Sequence, residues 1–408
     1  MTRHLCLALA LLTLSLGGVA QAQAPSKERA AADYEWVFHY YMAYDNNLEK
    51  CGQPIIKMLK QGITSDKVVV VVTADFRNDE GMQRYVLTKD DQKMTQLSEE
   101  GCAEEEVLAA ELDWVSKNFS AKRYAVVFLN HGGRLGEMSY DERPGKKGGQ
   151  KWLFPPEVGT VMTKWRKSLA GECELFFYQQ CGKGTLENYH AVKDAAKFVM
   201  GSQTVVGAPN YYYTKFLKDV CATPDLTGKE IAALITKHET PNMFTTYSTF
   251  DCEALGDLPK KLDAVLKPLV ALETVKLPRG RKDFKPCFDF KPDETMFDAF
   301  AFLDGMYAAN GLDTAPLEAF KAWSKETMMT GHRVSEQQVE KAGSWCGYSL
   351  YFPMSRRALT RYTESYPIYR ETQLDEFLHK VIDTIDVLRK KLAERRRAAA
   401  KKAGARKR

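Results

Sequence analysis

The chain has 408 residues, 27% charged and 44% hydrophobic, the balance of a globular protein rather than of a disordered, fibrous or membrane-embedded one. The length suits one large domain with elaborations, or two domains. The formal charge of +5 misleads, because residues 389–408 hold eleven Lys and Arg against one Glu; the basic character belongs to the tail, not the fold.

Residues 1–22 read as a secretory signal peptide. Arg3 and His4 supply a positive start, residues 5–16 are mostly apolar, and Ala20-Gln21-Ala22 is a small-x-small cleavage site. The apolar run is too short to span a bilayer and no later segment is a transmembrane candidate, so a secreted or periplasmic protein is expected. Cleavage removes Cys6 and leaves Cys51, Cys102, Cys173, Cys181, Cys221, Cys252, Cys287 and Cys346. With Cys181 set aside as a free thiol, the odd number remaining allows at most three bridges. No CxxC or Cys/His cluster has zinc spacing, so no metal site is expected from that pattern.

Residues 36–44 form a strong first strand. Asn46, with Glu49 three residues on, has the form of a capping box opening a helix that reaches about residue 61. Residues 67–73, with five consecutive Val, read as a central parallel strand buried on both faces, completing a strand–helix–strand unit. An edge hairpin is expected from residues 84–87 and 93–97, and an amphipathic helix from residues 104–119. The apolar run Ala125-Val126-Val127-Phe128-Leu129 then stops at Asn130-His131-Gly132-Gly133. A polar loop over residues 137–150 and a helix over 155–169 lead to a second run, Leu175-Phe176-Phe177-Tyr178, which stops at Gln179-Gln180-Cys181-Gly182. Helices are expected at 184–196, 214–221, 228–238, 257–272 and 295–310, and strands at 198–201, 245–250 and 348–352. Residues 278–292 read as basic and irregular, and 374–397 as a helix running into the basic tail. Alternating strands and helices imply an α/β helix–sheet–helix sandwich with a mostly parallel sheet. Residues 33–275 would form its core, 276–370 a C-terminal part of the same fold with an inserted loop, and 371–408 the helix and tail.

In a parallel sheet, side chains just past the C-terminal strand ends meet in one crevice. Two neighbouring strands ending at His131 and Cys181 would put a thiol beside an imidazole, a nucleophile with its proton-transfer partner. A structural histidine and a buried thiol would read the same way if either stood alone.

Several motifs, in order, resemble the clostripain-like cysteine peptidases of the caspase-like clan: Tyr44-Asp45-Asn46-Asn47-Leu48-Glu49 after the first strand, Asn130-His131-Gly132-Gly133 after a later one, and Cys181 after the next. Thr246-Tyr247-Ser248-Thr249-Phe250-Asp251 and Gly347-Tyr348-Ser349-Leu350-Tyr351-Phe352-Pro353 continue the resemblance, with a weaker echo at Met296-Phe297-Asp298-Ala299-Phe300-Ala301. It implies a caspase-like fold and a cysteine endopeptidase acting on protein or peptide substrates. The Cys181 and His131 dyad would form a thioester, with the backbone N–H groups of Gly132 and Cys181 as oxyanion hole. The family's Asp two residues before the nucleophile is here Gln179, and near the end of the following strand Gln203 stands where a second acidic contribution is expected. An Arg/Lys preference therefore does not follow; the two Gln could hydrogen-bond a neutral polar side chain, with Tyr211, Tyr212 and Tyr213 as a pocket wall. The alternative is a catalytically inactive binding or scaffold protein on the same fold. Lys146 and Lys147 lie where relatives are cut during activation, although a solvated charge run explains them as simply. Calcium is a ligand of the family, but no EF-hand pattern is present, and no other cofactor is implied. The basic tail could touch anionic cell envelope or nucleic acid.

Overall fold

A computed structural model describes residues 34–77, 81–98, 101–144, 149–278, 286–290 and 294–405. The signal-peptide reading of residues 1–22 and the Lys146 and Lys147 pair lie outside the described residues.

Nine strands form the main sheet, in the order β11-β8-β7-β6-β5-β1-β2-β3-β4. Five of them run parallel in its centre: β2 (Val68–Phe76), β1 (Tyr34–Tyr44), β5 (Ala121–Leu129), β6 (Glu172–Gln179) and β7 (Phe198–Gly201). Antiparallel strands extend both edges. β3 (Gln83–Leu87) and β4 (Gln92–Gln96) form the expected hairpin on one side, and β8 (Thr246–Asp251) and β11 (Met329–Val334) lie on the other.

The uninterrupted apolar runs follow from this position. In β1, Val37, Tyr41 and Ala43 enter one buried core while Trp36, Phe38, Tyr40 and Met42 enter the other. The valines of β2 divide in the same alternating way. Helix α1 (Glu49–Gly62) covers one face; α2 (Glu105–Asn118) and α3 (Pro155–Ser168) cover the other.

Three local expectations change. Asn46 does not cap α1, whose N-cap is Leu48; its amide instead ties strand ends together, as described below. Residues 295–310 are not all helix, because β10 (Glu294–Asp298) pairs antiparallel with β12 (Ser349–Pro353), and the helix begins at Ala299 with Asp298 as its N-cap. The stretch 278–292 contains β9 (Pro286–Phe290), which completes a three-stranded sheet beside β10. Thr295 and Phe297 are strand formers, and Asp298 suits a helix cap rather than a helix interior, so a helix drawn from 295 overruns the strand that pairs with β12. The eight cysteines after residue 22 are all unbridged, so none of the bridges allowed by count forms.

One polar chain crosses the core between β1, β2, β3 and α2. Arg84 makes two hydrogen bonds to Glu111, one of them Nε to Oε2 at 2.9 Å, and lies 3.8 Å above the Trp114 ring. Thr73 donates to the same carboxylate at 2.9 Å and meets His39 at 2.9 Å. Burial holds His39 down to about 3, so its imidazole is neutral. Removing one partner of a buried pair leaves a bare charge. Glu111→Ala is expected to lose about 3–5 kcal/mol in urea unfolding, and a Glu111→Leu/Arg84→Met double variant to recover much of it.

Candidate active site

The sheet changes direction between β1 and β5. From β1 the chain steps to β2 on one side, and β5 later returns to the other. The C-terminal ends of β1 and β5 thus flank the crevice where ligands of open α/β sheets bind. Asn46 follows β1 and Asn130 follows β5, and both are buried. Asn46 Nδ2 donates to Ala43 O (3.1 Å), Asn130 Oδ1 (3.0 Å) and Tyr140 O (2.8 Å). Asn130 donates to Ala43 O and to Tyr140 O, and its Oδ1 accepts the His131 N–H at 2.6 Å. The two amides lock the strand ends and set the turn on which His131 sits.

β5 and β6 pair in parallel register through Leu129 and Gln179, so His131 and Cys181 stand at equivalent points two residues beyond the ladder. Gly132 presses against the nucleophile's own peptide: a Cβ at 132 would lie 1.8 Å from the Cys181 carbonyl oxygen. Only glycine permits that approach. Neither the Gly132 nor the Cys181 N–H has a backbone acceptor among the described residues.

The two side chains do not bond each other. His131 Nε2 lies 2.7 Å from Asn47 Oδ1, and its ring meets Tyr140 edge-on at 6.5 Å. Cys181 Sγ accepts the Val206 N–H at 3.3 Å and lies 3.4 Å from the Val206 carbonyl, to which a thiol donates. Burial pushes the Cys181 thiol up, although the Val206 hydrogen bond and the Lys183 charge oppose it. Burial also holds His131 below the usual imidazole range. The pair is therefore neutral, thiol with imidazole, in this arrangement. Among the eight cysteines only Cys181 is partly exposed.

Both glutamines are buried with their amides engaged. Gln179 Nε2 donates to Asn210 Oδ1 (2.5 Å) and the Tyr213 hydroxyl (2.7 Å), and its Oε1 accepts the Tyr212 hydroxyl (2.7 Å). Gln203 donates to Asp298 Oδ2 (3.1 Å) and accepts the Gly347 N–H (3.1 Å). Tyr212 and Tyr213 are buried; of the three consecutive tyrosines Tyr211 alone is well exposed, at 48%.

Sequence reasoning passed over three residues. Asn47 stands inside the Tyr44–Glu49 motif without a role of its own there; its signal is position, directly after the strand that neighbours β5. Lys183 is wholly buried. Its Nζ donates to the carbonyls of Arg134, Leu135 (3.2 Å) and Glu137 (2.5 Å), tying the nucleophile segment to the loop after His131. Burial outweighs the Glu137 and Glu294 charges and brings Lys183 down to about 7. Glu239, distant in sequence, reaches the Gln179 network through Asn210 Nδ2 at 2.7 Å, and its other oxygen accepts Tyr211 N, Thr240 N and the Thr240 hydroxyl. Burial raises its carboxyl above the usual range.

Among the described residues, one group of His, Cys, Asp or Glu side chains lies close enough to share a metal ion: Asp75, Cys102 and Asp141. A thiol suits the all-oxygen shell of calcium poorly, so this group does not fit the family's calcium.

The strand order and the helices on both faces define the caspase-like fold, and known structures share it. The inactive zymogen of a C11 protease from Parabacteroides distasonis superposes with a TM-score of 0.65 at 16% identity, over 84% of this chain and 99% of that one. A secreted C11 cysteine protease from Bacteroides thetaiotaomicron, solved with an irreversible peptide inhibitor, gives 0.62 at 14% identity over the same shares. No curated protein sequence matches the chain. The clostripain family model, that of the C11 peptidases, matches residues 40–381, and the chain belongs to that family.

Two expectations follow. Treated in the folded state with a small alkylating agent and mapped by mass spectrometry, Cys181 should be modified well before the other seven thiols. Because its thiol is raised, the rate should climb about tenfold per pH unit with no plateau near neutrality. For Lys183, the folded value lies below the unfolded one, so the unfolded chain binds the extra proton between about pH 7 and 10.5. Stability should rise with pH across that window by up to about 1.4 kcal/mol per unit relative to Lys183→Met, read from paired denaturation curves.

Proposed function

We propose that this chain is an exported cysteine endopeptidase that cleaves peptide bonds through a thioester on Cys181, with His131 as the proton-transfer partner. The observation that carries the proposal is the β5–β6 register, which sets His131 and Cys181 on adjacent strand ends with Gly132 against the nucleophile's peptide.

The arrangement described is a resting one. For turnover, Sγ leaves Val206 and passes its proton to His131, and the thiolate attacks the substrate carbonyl carbon. The N–H groups of Gly132 and Cys181 receive the oxyanion. As the C–N bond breaks, His131 returns the proton to the leaving amine. Water then enters, His131 takes its proton, and the acyl–sulfur bond breaks to release the acid and restore the thiol. Asn47, on Nε2, is a positioning residue that orients the ring and supports the imidazolium.

Specificity follows from the engaged amides. Gln179 is occupied by Asn210, Tyr212 and Tyr213, while Glu239 is held by four hydrogen-bonding groups. No carboxylate of this network is left to meet a guanidinium, whereas Val205 and Tyr211 stand about half exposed beside it. We infer an uncharged residue before the scissile bond. No helix among the described residues is long and apolar enough to cross a membrane. The basic end of the helix Leu374–Ala405 suits an anionic envelope surface.

A peptidyl electrophile should label wild type and not Cys181→Ala, and His131→Ala should lower kcat/KM by about 10²–10⁴-fold. Asn47→Ala should lose about tenfold and shift the pH profile, because the imidazolium loses its acceptor. Absence of both labelling and turnover from about pH 5 to 9 with reductant would favour a non-catalytic scaffold. Library cleavage chiefly after Arg or Lys would overturn the specificity inference alone.

A further inference from the structure

Behind the active-site loops, three side chains from separate segments converge in the interior. Asp75 lies near the end of β2, opposite Ala43 of β1. Cys102 precedes α2, and Asp141 lies on the loop that follows His131. Exposures are 4% for Asp75 and 0% for Cys102 and Asp141. Their donor atoms all fall within 4.8 Å of one another.

Asp141 is held by neighbours: Oδ1 accepts Arg143 N at 3.0 Å, and Oδ2 accepts Cys102 N at 3.3 Å. Tyr41 fixes Cys102 by donating to its carbonyl at 2.8 Å. Asp75 is different. Its carboxylate offers one oxygen to the group beside the Cys102 thiol, and its Oδ2 is buried with no hydrogen-bond partner among the described residues.

Among the described residues the nearby side-chain cations are engaged elsewhere. Arg143 is committed to Asp45, with Nε at 3.0 and 3.2 Å and a terminal nitrogen at 2.9 Å, while Arg77 faces Glu142 at 3.5 Å. Two buried carboxylates beside a thiol, with one oxygen unpartnered, need either protons or an added cation.

We propose that Asp75, Cys102 and Asp141 hold a borderline-soft divalent cation, Zn²⁺, as three protein ligands with water completing the tetrahedron. The donor set decides the metal: a thiolate with two carboxylates suits zinc and excludes calcium as the preferred occupant. The geometry is already close. Zinc bonds of about 2.3 Å to sulfur and about 2.0 Å to oxygen imply a tetrahedral edge of about 3.5 Å; the Cys102 thiol donates to Asp141 Oδ2 across 3.6 Å, a spacing the metal would keep on replacing the proton. The backbone N–H groups on Asp141 and the Tyr41 hydroxyl on the Cys102 carbonyl are the outer contacts that orient such ligands. Sequence spacing could not reveal the site, because the chain returns to it from three elements. A bound cation would fasten the loop after His131 to β2 and to the start of α2.

The test is metal uptake by the full mature chain after chelation and removal of the chelator. Zn²⁺ titration with elemental analysis should give about one equivalent per chain and raise Tm. Co²⁺ in its place should give a thiolate charge-transfer band. Cys102→Ser and Asp75→Asn should each weaken uptake by about tenfold or more and, for the first, remove the band; Cys181→Ala should retain both. No zinc uptake, or uptake unchanged by Cys102→Ser, would overturn the site and leave protons holding the cluster. Loss in Cys181→Ala would place the zinc on the nucleophile and overturn it equally. These readouts need no turnover, so they stand apart from the proposed peptidase activity.

Discussion

The site depends on one close approach of backbone to backbone, that of Gly132 to the peptide of Cys181. Two parallel strands can end together without their following residues touching. Here the register holds the ends level, the Asn46 and Asn130 amides fix the turn after β5, and Lys183 draws the loop after Gly132 toward the nucleophile segment. Each element is polar and buried, and each would destabilise the interior if its partner were lost. The placement of His131 and Cys181 and the integrity of the crevice are therefore supported by the same bonds.

Burial sets the resting charges across the protein. His39, His131 and Lys183 are pulled toward their neutral forms, and Cys181 and Glu239 toward protonation, with desolvation the leading cause in every case. For Cys181 and His131 this means a neutral thiol and a neutral imidazole with no stored ion pair; under the proposed mechanism the pair forms when substrate replaces the Val206 backbone at the sulfur.

The strands that carry the site were legible because their signal is local. Apolar runs such as 125–129 and 175–178, each closed by polar or glycine residues, need no knowledge of the rest of the chain. Parallel order follows from the alternation with helices, and His131 and Cys181 from their place just beyond two such runs. What escaped is what tertiary pairing creates. Residues 295–298 are too short a run to separate from the helix that follows until β12 is placed beside them. Glu239 has no local mark linking it to Gln179, and Asn210 makes that link only in the folded chain. Gln179 and Gln203 looked like pocket residues because their positions were known but their partners were not.

The eight unbridged thiols bear on how the protein can be handled. No covalent cross-link among them holds the fold, so the mature chain could be made in a reducing cytoplasm without oxidative folding machinery. Reductant added to keep Cys181 as a free thiol would leave the scaffold intact, so the redox state of this one partly exposed thiol is separable from folding.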